Sequence, residues 1–196
     1  MTQLEFNSFL HTEPKQKNDP HIWLHSGTAF YLSRPTQDMV HLDDIAWACS
    51  KLERWNGHLH FSWSVAEHQI LVAYLLKDEP PRVQLTGLMH DAGETFYGDL
   101  SSPLKSLFPE FREWCHSIDK VIADKFGLIY PWPEAVTAAD KRALMLENVA
   151  LMREPFPELL PKETKTEALS FLSPFLCHSS TYSQYLLTYN SIKEKL

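Results

Sequence analysis

"LTGLMHDAGETFYGD", Leu85 to Asp99, sets His90 beside Asp91 with Glu94 three residues on, inside flanks that are otherwise apolar. Leu85, Leu88 and Met89 have the spacing of a buried helical face. A buried charge is costly unless it is paired or bound to a metal. The stretch therefore predicts a helix that holds its polar residues for a chemical reason. Two more stretches repeat the pattern. In "SVAEHQILVAYLL", Val65, Ile70, Val72 and Leu76 make a buried helix that also contains His68. In "AVTAADKRALML", small residues precede Asp140, and Leu144 and Met145 follow it. Any one of these alone reads as a hydrogen-bonded core histidine or a solvated aspartate. As a set, two imidazoles and two carboxylates on three apolar helices suit a divalent cation. Coordination positions would remain for water and a phosphate oxygen. Metal-assisted phosphate hydrolysis uses that arrangement, because the ion acidifies bound water and neutralises phosphate charge.

The rest of the chain predicts a mostly helical protein. "LDDIAWACSKLERW" starts with an acidic pair at its N-cap and is broken by Asn56 to His58. Ser64 and Glu67 form a capping-box pattern ahead of the His68 helix. "KDEPPR" separates that helix from the Leu85 helix, and Gly98, Pro103 and Pro109 mark a loop. "PEFREWCHSIDKVIADKFG" is amphipathic, with Gly127 as its C-cap. Pro133 is placed to open the Asp140 helix. "EPFPELLPKE" reads as a Pro-rich surface segment, followed by a last helix over "SSTYSQYLLTYNSIKEK". Aromatic and branched residues around Gly27 predict a short N-terminal hairpin. Residues 1–20 read as a polar arm and residues 21–196 as a single domain.

The chain has 196 residues, enough for one sizeable core. Its net charge of -7 argues against a protein that wraps duplex nucleic acid. Its three cysteines form no CxxC pair, which disfavours a cysteine-based zinc site and fits a reducing cytosol. No stretch reads as a signal peptide or a membrane span, so the expectation is a cytoplasmic protein, in the host cytoplasm if phage-encoded.

Phosphate chemistry needs further groups. Glu94 is placed to activate water or to protonate a leaving oxygen; its plain alternative is a surface helix residue. Asp99 follows a turn expected at Gly98 and reads on its own as a turn or cap residue. Arg54 can grip a phosphate, and Trp55 beside it can pack on a sugar or base. Lys105 lies just beyond the site. Lys51, Lys141 and Arg142 are weaker candidates. His25, His41, His58 and His60 read as structural or surface residues, with His58 close enough to the Gly57 turn to reach the site.

Taken together, these residues resemble the HD-domain phosphohydrolase superfamily, whose metal signature H…HD…D reads here as His68, His90-Asp91 and Asp140. "RW", "SVAEH" and "HDAGETFYGDLSSPLK" resemble the subgroup of deoxynucleoside 5′-monophosphatases and phage dATP triphosphohydrolases more closely. "HLDDIAWACSKLERWNGH" is similar to phage and prophage members. The resemblance covers about residues 27–150; "FSWSVAEH" departs from it, where many members have Tyr before the Ser. It implies an all-α helical bundle and a homo-oligomer, a dimer or hexamer. One divalent ion would be held by His68, His90, Asp91 and Asp140, with Mn²⁺, Co²⁺, Zn²⁺ and Mg²⁺ all open. Glu94 would be the acid/base or water-orienting residue, with Asp99 assisting. Arg54 and Lys105 would hold phosphate, and Trp55 would select the 2′-deoxy sugar. The substrate would be a small-molecule deoxynucleotide, with no nucleic-acid polymer or membrane as partner. A dATP triphosphohydrolase is narrowly preferred over a 5′-deoxynucleotidase acting on dNMPs. A non-catalytic nucleotide-binding module and an alarmone hydrolase are further alternatives.

Overall fold

The capping box forms as the sequence predicts. The Ser64 hydroxyl accepts from the Glu67 amide, and the Glu67 carboxylate accepts from the Ser64 amide, opening helix α2 (Val65–Leu75). This computed structural model describes residues 19–159, 164–174 and 180–196. Most of the polar arm, residues 1–18, lies outside the described residues, as does part of the Pro-rich segment.

The remaining helices among the described residues follow in chain order. Before α2 comes α1 (Leu42–Cys49); after it come α3 (Pro81–Met89), α4 (Glu94–Tyr97) and α5 (Ser102–Ser106). Then come α6 (Pro109–Phe126), α7 (Glu134–Leu151), α8 (Lys165–Leu172) and α9 (Thr181–Lys193). A two-stranded antiparallel hairpin, β1 (His21–Trp23) with β2 (Ala29–Tyr31), precedes them and turns at Gly27. The expected architecture, a mostly helical bundle with a short N-terminal hairpin, is what the structure shows.

Helix α2 is buried nearly all round. Val65, Ala66, Leu71 and Val72 are inaccessible, and α2 packs on α3, α7 and α9. The same cluster gathers Leu85, Leu88, Ile118, Leu146 and Leu151 from α3, α6 and α7. Tyr185 on α9 donates its hydroxyl to the Leu88 carbonyl at 3.3 Å, tying the end of α3 to the last helix. Gly127 closes α6 with φ at 69°, the left-handed cap a glycine adopts without strain.

Several boundaries differ from the sequence expectation. The first helix ends at Cys49 instead of running to Trp55, and its N-cap is His41; Asp43 and Asp44 sit in its first turn. Asp44 is buried because it accepts from the amide and hydroxyl of Ser26, which pins the hairpin turn to α1. The stretch read as a loop from Gly98 to Pro109 contains α5, and α8 is an addition. Its Thr164–Glu167 capping box was legible in the sequence.

Candidate metal centre and its cavity

Helix α3 does not continue through the His-Asp pair. After Met89 the chain forms tight turns, with the Ala92 amide bonded to the Met89 carbonyl and the Glu94 amide to that of Asp91, both at 3.0 Å. Gly93 permits this. A Cβ there would lie 2.6 Å from an Asp119 carboxylate oxygen and 2.8 Å from the Tyr97 hydroxyl. The break tips His90 and Asp91 toward α2 and α7.

There they meet His68 and Asp140. His68, His90 and Asp140 each offer one atom, and the three atoms lie within 4.8 Å of one another; this group can hold a metal ion. Asp140 Oδ1 is 3.1 Å from His68 Nε2 and 3.7 Å from His90 Nε2. Asp91 Oδ2 faces the same two nitrogens at 3.6 and 3.2 Å. Ligands bound at about 2.1 Å and right angles to one ion would sit about 3 Å apart, so these spacings fit.

The histidine rings are oriented from behind. His90 Nδ1 donates to the Gly87 carbonyl at 2.8 Å, and a carbonyl can only accept, so its Nε2 is left to face the cluster. His68 Nδ1 donates to Glu147 Oε1 at 2.6 Å, with the same result. Both Nε2 atoms are buried and lack an aligned hydrogen-bond partner. Two buried lone-pair atoms aimed at two carboxylates match the donor set of a hard-to-borderline divalent cation.

The electrostatics point the same way. Burial disfavours charge on both rings, but Glu147 and Asp140 outweigh it at His68, and Asp91 and Asp140 at His90, so both pKa values rise. Burial also pushes up the carboxyls of Asp91 and Asp140, yet their contacts with the histidines hold both well below the usual range. Rings and carboxylates that draw each other toward the charged forms are an environment that favours a cation among them.

Glu147 is the residue that sequence reasoning missed. It is wholly buried and accepts four bonds: from His68, from Trp63 Nε1 at 2.9 Å, from Trp55 Nε1 at 3.1 Å and from Arg54 Nε at 3.2 Å. Burial raises its carboxyl, but the Arg54 and His68 charges outweigh that and bring it down to about 2. The signal was present, since a Glu seven residues after Asp140 shares its helix face within an apolar run. Arg54 and Trp55 reach this carboxylate from a turn in which Trp55 (φ 56°) and Asn56 (φ 51°) are both left-handed. Each costs of order 1–3 kcal/mol and persists only where its surroundings over-determine it; here the Glu147 anchor does so.

A cavity of about 470 Å³ opens beside the cluster, lined by Asp91, Asp140, Arg54, Trp55, Glu94, Asp99 and Lys105 among others. Arg54 is buried, with Nη1 3.6 Å from Asp91 Oδ2. Glu94 is 3% exposed; one oxygen accepts from Lys105 Nζ at 3.3 Å and the other has no hydrogen-bond partner. Burial raises its pKa, and the nearby Asp91 and Asp99 charges add to the rise. Asp99 lines the cavity directly after Gly98, whose φ of 80° makes the expected turn. Its carboxyl is also raised, first by burial.

Other candidates stay outside. Lys51 lies over the Trp47 ring, and His25 stacks on the same ring with centroids 3.9 Å apart. His41 pairs with Thr28, and the His60 amide bonds the Leu151 carbonyl. His58, Lys141 and Arg142 are not among the cavity's lining residues, so His58 does not reach the site. No helix among the described residues is long and apolar enough to cross a membrane.

Fold and site together define a mostly helical protein with a His/Asp group, its histidines buried, able to hold a metal ion beside a cavity. No protein-family profile matches the chain. It is 31% identical over 171 residues to the uncharacterized protein YfdR of Escherichia coli, covering 86% of this chain and 93% of that protein. It is 33% identical over 133 residues to the uncharacterized protein RCAP_rcc00048 of Rhodobacter capsulatus, covering 62% of this chain and 68% of that one. The chain belongs to the YfdR family.

Proposed function

We propose that the protein is a metal-dependent phosphohydrolase of the HD type that cleaves deoxynucleotides at the α-phosphate. The carrying observation is the convergence of His68 and Asp140, from α2 and α7, with His90 and Asp91, from the turn after α3, at a cavity that also presents Arg54, Lys105 and Trp55. A divalent ion held by those four residues would supply charge neutralisation and an acidified water. Arg54, fixed at Nε by Glu147, orients the phosphate from one side, and Lys105 approaches from the Glu94 side. Glu94 is suited to give a proton to the leaving 5′-oxygen, because its buried, acid-rich surroundings favour the protonated carboxyl. Asp99 orients water at the same cavity. Trp55 packs against the sugar where a 2′-hydroxyl would clash.

The cavity's charge favours a monophosphate. Its lining carries two cations, Arg54 and Lys105, against the carboxylates of Asp91, Asp99 and Asp140, with Glu94 protonated. A divalent ion brings that sum to about one net positive charge, which suits a phosphate dianion better than a triphosphate. The reading is therefore a 5′-deoxynucleotidase acting in the cytoplasm, as a homo-oligomer, on small-molecule dNMPs. The likeness of "DIAWACSKLERWNGH" to phage members favours the second reading, a dATP triphosphohydrolase. Product analysis after incubating the protein with dAMP or dATP and Mn²⁺, Co²⁺, Zn²⁺ or Mg²⁺ separates them. Deoxyadenosine and phosphate from dAMP support the first, and free triphosphate from dATP supports the second. No hydrolysis of either substrate with any of the four ions overturns both.

A further inference from the structure

Beyond the metal-bearing end, the cavity has an apolar wall that the proposed chemistry does not use. Phe156, Leu144 and Leu159 line it together with the charged groups. Phe156 is 44% exposed, so its ring is accessible at this rim. Its ring plane lies within 10° of that of Trp55, with centroids 6.1 Å apart. The segment that carries it is held with unusual completeness for a surface connection. Asn148 on α7, itself fully buried, accepts from the Phe156 amide at 2.9 Å. It also donates to the Phe156 and Leu159 carbonyls at 3.0 and 3.1 Å. A buried amide that spends both of its N–H donors and its carbonyl oxygen on two cavity-lining residues is a positioning device.

We propose that Phe156, fixed by Asn148 and set parallel to Trp55, is the surface on which the substrate's nucleobase stacks, making it a determinant of specificity for base-bearing over base-free phosphate esters. This rests on the nucleotide reading above. Trp55 is tied through its indole N–H to Glu147, behind the metal cluster, so its ring stands at the sugar. Phe156 lies beyond it, where a base on C1′ of that sugar would extend. Every base offers a π-face, so such a wall discriminates for a base rather than among bases, and its value appears as binding.

The test compares wild type with Phe156→Ala and Phe156→Leu, the second keeping apolar bulk while removing the ring. Two readouts are used. One is the ratio of kcat/KM for dAMP to that for 2-deoxyribose 5-phosphate, which has no base. The other is the calorimetric Kd for the non-hydrolysable 5′-phosphonate analogue of dAMP. Loss of one base–aromatic stack corresponds to about 5- to 150-fold. The ratio should fall and the Kd rise by that factor in Phe156→Ala, with most of the loss retained in Phe156→Leu. A ratio and Kd within twofold of wild type, in a variant with unchanged thermal unfolding, overturn the base wall while leaving the phosphohydrolase reading intact. Equal losses on both substrates, which leave the ratio unmoved, also overturn it. A wild-type protein that neither hydrolyses dAMP nor binds its analogue overturns the nucleotide reading and this inference with it.

Discussion

Replacing Glu147 with Gln removes one charge and exchanges one acceptor oxygen for a donor, with almost no change in shape. In the wild type, Oε1 accepts from His68 and Trp63, and Oε2 from Arg54 and Trp55. Whichever way the Gln amide turns, its NH₂ faces two donors. Each buried donor left unsatisfied costs about 1–3 kcal/mol. Arg54 also loses its buried counter-charge, and breaking a buried pair from one side costs about 3–5 kcal/mol. The two costs overlap, so the expected loss of stability is about 3–5 kcal/mol at neutral pH. The pKa gives an independent check. Glu147 falls from 4.5 to about 2 in the folded protein, which at about 1.4 kcal/mol per unit is on the order of 3 kcal/mol. The folded value is the lower one, so this stability is present above pH 4.5 and is lost as the pH falls toward 2. Urea unfolding followed by tryptophan fluorescence at several pH values measures both effects. The variant should lose the acid-dependent component. Because Glu147 fixes the His68 ring, metal affinity measured by calorimetry should weaken about 10- to 100-fold. A stability change under about 1 kcal/mol with an unchanged m-value, together with metal affinity within twofold of wild type, would refute this account of the buried carboxylate.

Four further outcomes are expected. Asp140→Ala and His90→Ala should each strip the protein of bound divalent ion, read by elemental analysis of dialysed protein, and abolish phosphohydrolase activity. Metal affinity should fall as the pH is lowered, because His68 and His90 have raised pKa values and protons compete with the cation; a pH-independent Kd would contradict this. Trp55→Ala should erase the preference for deoxy- over ribonucleotides in kcat/KM while also weakening stability through its lost bond to Glu147. Gly93→Ala should cost about 1–3 kcal/mol in thermal unfolding, since its Cβ would press on Asp119 and Tyr97 where the chain turns out of α3.

The sequence alone determined the helical character, the capping box at Ser64, the Gly127 cap and the four residues that converge between helices. Each is a local matter: apolar spacing at 3.6 residues, a hydroxyl next to a free amide, or a polar residue stranded on an apolar face. It also marked Arg54, Trp55, Glu94, Asp99 and Lys105, all of which line the cavity. Only the tertiary structure decided the rest. That position 93 has no room for a Cβ depends on Asp119 of α6 and Tyr97 of α4 closing on it. That Lys141 faces away while Lys105 faces in depends on how α7 is rotated in the bundle and where α5 lies. Glu147 looked like one more charge on a long helix until His68, Trp63, Trp55 and Arg54, from 79 to 93 residues away in the chain, were brought onto its two oxygens. A carboxylate's role is set by what donates to it, and donors so distant in sequence meet only when the chain is folded.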